Sequence, residues 1–172
     1  IGNDVNVGPT VSPDGKLIAF LSGRSLFSID LFVADVATGE VVHKLTSTAT
    51  DPHYSSIQFI ESAGGWDANS ERIGIATVTS GRPALTIFNA RSGDKQRDIP
   101  MENLDEIFNP TWAPSGDAVA FTGMSRGLTD LYVFDLKTSQ LRQLTNDPFA
   151  DLQPSWSPDG GRIAFATDRF SS

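Results

Sequence analysis

Gly123-Met-Ser-Arg-Gly127 spells Gly-x-Ser-x-Gly, the arrangement that can set a serine nucleophile on a strained strand-to-helix turn. Such a serine also needs an oxyanion hole and a histidine base later in the chain. Both histidines, His43 and His53, precede Ser125, and no helical period follows it. His-x-x-His and His-Glu-x-x-His spacings do not occur, so zinc chemistry has no ligand pattern. Carboxylates recur just ahead of the three tryptophans, as Glu61, Asp105, Glu106 and Asp151. Such groups can take a cation or a basic peptide end, or simply cap turns in water. No Asp-x-Asp-x-Asp-Gly calcium loop and no glycine-rich phosphate loop is present, and no cofactor motif is seen.

Positioning any of these groups falls to a chain of 172 residues, within the size of one domain. Its 39% hydrophobic and 20% charged content are those of an ordinary globular protein. No apolar run is long enough to cross a bilayer, and Ile1–Asp4 lacks the basic start of a signal peptide. Thirteen basic against 21 acidic residues give a formal net charge of −8. That balance repels phosphate backbones and anionic lipid heads, arguing against nucleic-acid and membrane-surface partners. There are no cysteines, so neither disulfides nor thiolate sites arise.

Self-similarity organises the chain. Pro9-Thr-Val-Ser-Pro-Asp-Gly-Lys-Leu-Ile-Ala-Phe20 returns as Pro110-Thr-Trp-Ala-Pro-Ser-Gly-Asp-Ala-Val-Ala-Phe121 and as Pro154-Ser-Trp-Ser-Pro-Asp-Gly-Gly-Arg-Ile-Ala-Phe165. A degraded copy runs from Gly64 to Ile75. Val11, Trp66, Trp112 and Trp156 stand 55, 46 and 44 residues apart. A second block follows the copies at Val11, Trp66 and Trp112, as Asp30-Leu-Phe-Val-Ala-Asp35, Ala84-Leu-Thr-Ile-Phe-Asn89 and Asp130-Leu-Tyr-Val-Phe-Asp135. Leu45-Thr46 and Leu144-Thr145 form a third.

Ser-Pro-Asp-Gly is a tight turn: proline sets the first corner, aspartate bonds backbone amides, and glycine takes positive φ. In the degraded copy Asp67-Ala-Asn-Ser70 loses both proline and glycine. It is expected to be the weakest turn, with Asn69 tolerating the left-handed region. Runs such as Leu17-Ile-Ala-Phe20 are apolar on both faces, as in strands covered on both sides. The Asx-ended second block reads as a hairpin strand. One repeat is then four short antiparallel strands in about 40–45 residues, the unit of a β-propeller blade. The long first spacing needs an insertion, placed at Ser47–Gly65 in the loop entering the second blade and carrying His53, Tyr54 and Glu61.

"PTWAPSGDAVAF … DLYVFDLKTSQLRQLT" and "PSWSPDGGRIAF" resemble the WD40-like (PD40) repeats of TolB-type β-propellers. The same repeats occur in propellers of prolyl-oligopeptidase-like and tricorn-like proteins. The resemblance covers the whole chain and departs at Val11 and in the second turn. It implies an all-β fold, a partial propeller of about 3.5 four-stranded blades in one domain over 1–172. Repeats fall at about 5–56, 57–104, 105–149 and 150–172, the last truncated.

A propeller closes only when its last blade meets its first. The chain is therefore expected to be an excerpt of a longer protein or to need a partner, with self-association through open blade edges. Within the blade frame Ser125 lies in the loop between second and third strands and is not expected to be a nucleophile. The tryptophans are expected to pack where blades meet, and His43 to be a surface or half-buried strand residue. Glu61, Asp105, Glu106 and Asp151 fall near one mouth of the central channel and are the candidate ligand residues. The function implied is a non-catalytic scaffold for a protein or peptide, in a periplasmic, secreted or envelope protein. The alternative implied is the gating propeller of a larger serine peptidase.

Overall fold

A computed structural model describes residues 5–25, 28–48, 50, 54–57 and 64–169. Fifteen strands and no helix are found among the described residues. The first sheet is β1 (Asn6–Val11), β2 (Leu17–Ser25), β3 (Ser28–Asp35) and β4 (Val41–Lys44), hydrogen-bonded in chain order. The third repeats this with β10 (Glu106–Trp112), β11 (Ala118–Ser125), β12 (Leu128–Asp135) and β13 (Gln140–Gln143). The second holds β5 (Tyr54–Ile57), β6 (Gly65–Trp66), β7 (Arg72–Thr79), β8 (Arg82–Asn89) and β9 (Lys95–Pro100). The fourth is the pair β14 (Asp151–Trp156) and β15 (Ile163–Thr167). Every neighbouring pair is antiparallel. First strands touch one another, β1 with β6, β6 with β10 and β10 with β14, so they form the inner side of an arc of blades.

The turns explain why each sheet starts as it does. Ser12 Oγ donates to Asp14 Oδ1 at 2.6 Å and accepts from the Leu17 amide at 2.9 Å. Ser157 and Asp159 repeat this at 2.6 Å, with the Arg162 amide at 2.9 Å. Gly15, Gly116 and Gly160 close these turns at φ 71°, 71° and 70°. In the second blade the left-handed position is Ser70, at φ 58°, rather than Asn69. That turn is not weaker in bonding: the Asp67 carboxylate takes the part of the Ser12 hydroxyl, accepting from the Glu71 and Arg72 amides at 2.9 Å each.

Each innermost strand bulges at one place. Gly8, Asn109 and Gln153 adopt φ 60°, 49° and 54° there, each just before a proline. Pairing resumes after two residues in β1, β10 and β14. In the second blade β5 and β6 both pair with β7. Within the insertion expected to be an entry loop, Tyr54–Ile57 is a strand. His53 and Glu61 fall outside the described residues.

Blades join through apolar faces. Leu17, Leu21, Leu31 and Val33 of the first meet Trp66, Ile73 and Phe88 of the second. Leu85, Ile87 and Ile99 meet Trp112, Val119 and Phe121 of the third in the same way. Burying side chains of this size stabilises the fold by about 1.5–3 kcal/mol each. The small third residue of the second strands, Ala19 and Ala120, is fully buried.

Candidate functional site

Ser125 ends β11 and pairs with Leu128, which opens β12. The two residues between them, Arg126 and Gly127, have φ 53° and 80°. Positive φ at both central residues is the geometry of a two-residue hairpin turn whose twist matches its strands. Ser80 and Gly81, at φ 52° and 75°, make the same turn in the second blade. Gly123, the first glycine of the motif, has a packing role: a Cβ there would lie 2.7 Å from the Tyr132 ring and 2.9 Å from Leu104. Gly-x-Ser-x-Gly here is thus a strand end followed by a hairpin turn. His43 is half-buried in β4, with Nε2 2.7 Å from the Arg91 carbonyl oxygen in the turn after β8. That turn lies at the opposite end of the blades from Ser125.

Of the candidate carboxylates within the described residues, Glu106 and Asp151 open β10 and β14, and Asp105 immediately precedes β10. Asp105 Oδ2 accepts the Arg126 amide at 2.7 Å, so it braces the hairpin turn. Glu106, the first residue of β10, is half-buried opposite Met124. Asp151 is fully buried and held by Arg169 at 2.5 Å and 2.7 Å, while Arg169 also pairs with Asp147. Burial works to raise the Asp151 pKa, but bonds from Arg169, Thr167 and Thr145 outweigh it and hold the carboxyl below its ordinary range. Asp105 and Glu106 are neighbours, whereas Asp151 is engaged within its own blade joint. Among the described residues no three His, Asp or Glu side chains are grouped to hold a metal ion.

A groove of about 770 Å³ lies at this end of the third blade. Its lining includes Glu102, Asp105, Ser125, Arg126, Asp130 and Tyr132. Burial, then the nearby Asp130 charge, raises the Tyr132 pKa, so its phenol stays protonated. Asp130 was not singled out in the sequence because it begins an ordinary strand block. It is 5% exposed and takes bonds from Gln143 at 3.0 Å and Thr145 at 3.2 Å. Asp30 repeats this in the first blade, fully buried, with Lys44 at 2.8 Å and the Thr48 amide at 2.8 Å. The recurrence of Asp opening the second sequence block and Leu-Thr behind that block was the available signal. Thr46 and Thr145 each accept the backbone amide of the leucine after that Asp, at 2.9 Å.

The tryptophans sit where blades meet. Trp66 Nε1 donates to the Thr10 carbonyl at 3.1 Å, Trp112 to Gly65 at 2.8 Å and Trp156 to Thr111 at 3.3 Å. In each case the acceptor immediately precedes the equivalent position of the previous blade. A family model described as the PD40 TolB beta propeller domain matches residues 56–172. The chain belongs to this family.

Among relatives of this PD40 chain, "Protein TolB homolog" of Chlorobium chlorochromatii (strain CaD3) is 30% identical over 158 residues, 90% of this chain and 35% of that protein. "Tol-Pal system protein TolB" of Anaeromyxobacter dehalogenans (strain 2CP-C) is 38% identical over 91 residues, 53% of this chain and 20% of that one. The crystal structure of TolB from Acinetobacter baumannii superposes with a TM-score of 0.71 at 20% identity, over 94% of this chain and 37% of that one. The PD40 chain thus spans between a fifth and about a third of the curated relatives it matches here.

Proposed function

We propose that this TolB-type propeller arc is a non-catalytic interaction module. It holds a protein or peptide segment at the end of the blades where the innermost strands begin. The observation that carries this reading is the groove of about 770 Å³ there, lined by Glu102, Asp105 and Arg126. Concave sites with a few convergent polar groups are where ligands bind. Glu106 adjoins Asp105 at the start of β10 and adds to this acidic surface, whereas Asp151 is taken up by Arg169 and Glu61 lies outside the described residues; the net charge of −8 favours a basic segment. A relative's name places it in a Tol-Pal system. Carried over to this chain, that supports a protein partner in a bacterial envelope.

The test is an NMR titration of the 172-residue chain with tetralysine as probe. Amide shifts at Asp105, Arg126 and Gly127, reduced in Glu102→Gln, support the reading. An unchanged spectrum in the presence of millimolar peptide sinks it.

A further inference from the structure

Lys44 lies directly opposite Phe32 across the third and fourth strands of the first blade, and Gln143 lies opposite Tyr132 in the same register of the third. Two residues before these rings stand Asp30 and Asp130, opposite Ser22 and Gly123 of the second strands. The two blades thus repeat a carboxylate and an aromatic ring on one face, but among the described residues only the first has a cation there. Lys44 Nζ sits 2.8 Å from Asp30 Oδ2 and 5.8 Å from the Phe32 centroid. The Thr48 amide and hydroxyl add bonds to Asp30 Oδ1 at 2.8 Å and 3.1 Å. In the second blade the three places hold Ala84, Thr86 and Asp98, so the arrangement is lost.

In the third blade Asp130 is 5% exposed and accepts from neutral groups alone among the described residues, the Gln143 amide at 3.0 Å and the Thr145 hydroxyl at 3.2 Å. The place of Thr48 is taken by Asp147, which pairs with Arg169. A carboxylate has about four lone-pair sites, so Asp130 keeps acceptor capacity that Asp30 has filled. Charge buried without a countercharge is costly, and an arriving cation relieves that cost. Asp130 also lines the groove of about 770 Å³. That groove lies between two complete blades: Glu102 and Leu104 come from the connection after β9, and Leu128, Tyr132 and Leu141 from β12 and β13. Leu128 and Leu141, 46% and 37% exposed, give the carboxylate an apolar approach.

We propose that Asp130 and Tyr132 seat a lysine side chain of the partner segment, its ammonium taking the place that Lys44 Nζ holds in the first blade. This assignment rests on the groove being a binding site and names the group it selects. The aliphatic stem lies along Leu128 and Leu141, as lysine stems do on apolar surface, and the ammonium bonds Asp130 beside the Tyr132 ring. An ammonium is a compact charge on a slim stem, whereas a guanidinium is planar and wider. A carboxylate so nearly buried therefore selects lysine over arginine.

The 172-residue chain is titrated with end-capped tetralysine and followed by NMR, with saturable shifts expected at the Asp130 and Tyr132 amides. Asp130→Asn and Gln143→Lys are each expected to weaken binding about tenfold, the second because its own ammonium fills the seat from within. Gln140→Lys makes the same charge change at an exposed position on the other face of β13 and is expected to bind like the parent. Tetraarginine is expected to bind about tenfold more weakly than tetralysine. Circular dichroism checks that the variants fold, and Gln143→Lys should melt at a higher temperature than the parent because Asp130 is then paired. Equal affinity of the parent and Gln143→Lys, with the shifts at Asp105, Arg126 and Gly127 intact, overturns the lysine seat and leaves the groove as a binding site. Absence of tetralysine binding overturns both. Cadaverine binding as tightly as tetralysine gives the seat to a free amine and overturns the assignment to a protein side chain.

Discussion

Trp112 Nε1 donates to the carbonyl of Gly65 at 2.8 Å, across the joint between the second and third blades. Arg72 lies over the same indole, 4.4 Å from its centroid, and reaches the Gly116 carbonyl at 2.9 Å. One side chain thus closes a hydrogen bond, a cation–π contact and an apolar interface. Val11 holds the equivalent position in the first blade, where it is 53% exposed and has no donor to give.

Trp112→Phe keeps an aromatic ring but leaves the Gly65 oxygen without its partner. The variant is expected to lose about 1–3 kcal/mol, read by urea unfolding. Trp156→Phe, at the longer 3.3 Å bond, is expected to lose less. Equal stability of Trp112→Phe and the parent would show that the indole N–H is dispensable.

Gly123→Ala and Ser125→Ala separate packing from chemistry in the Gly-x-Ser-x-Gly stretch. The added methyl meets the Tyr132 ring at 2.7 Å, so Gly123→Ala is expected to cost about 1–3 kcal/mol. Ser125→Ala is expected to change neither melting temperature nor the background rate on a chromogenic ester. Loss of ester turnover in that variant would make Ser125 a nucleophile after all.

Asp105→Ala removes the acceptor of the Arg126 amide, bonded at 2.7 Å. Stability is expected to fall by about 1 kcal/mol. Amide exchange at Arg126 and Gly127 should accelerate, while exchange in the Ser80-Gly81 turn stays unchanged. Uniform acceleration across both turns would point to global rather than local loosening.

Acid should loosen the turns before the cores. Bonds from the Ser12 hydroxyl and the Lys16 amide lower the Asp14 pKa from 3.8 to about 2. Asp35, Asp135 and Asp159 are also lowered, chiefly by the Thr38 amide, the Thr138 amide and the Ser157 hydroxyl respectively. A carboxylate depressed on folding stabilises fully above its unfolded pKa, and that contribution fades as pH falls through the folded one. The melting temperature should therefore hold above pH 3.8 and decline toward about pH 2. Asp14→Asn should show a shallower decline, and an identical pH profile would remove Asp14 from the account.

Strand-and-turn order was legible before any coordinates because its causes are local. Proline and glycine at the corners, serine and aspartate within hydrogen-bonding reach of the next amides, and apolar runs of strand length each act over a few residues. The hairpin joining β11 to β12 followed from the same local frame, although Ser125 itself ends β11 rather than lying in the loop. Substitutions of one turn chemistry for another were harder to see. Ser70 in the left-handed position and Asp67 in the role of Ser12 become evident only when the backbone is in view. Folding in three dimensions decided which groups meet across blades, Trp112 with Gly65, Arg72 with Trp112 and Arg169 with Asp147, and which meet within one, Arg169 with Asp151. Those partners are separated in sequence or lie on different elements, so periodicity carries no trace of them. The same holds for Asp151, where the pattern yields a carboxylate at a strand start, and only packing reveals that an arginine has already claimed it.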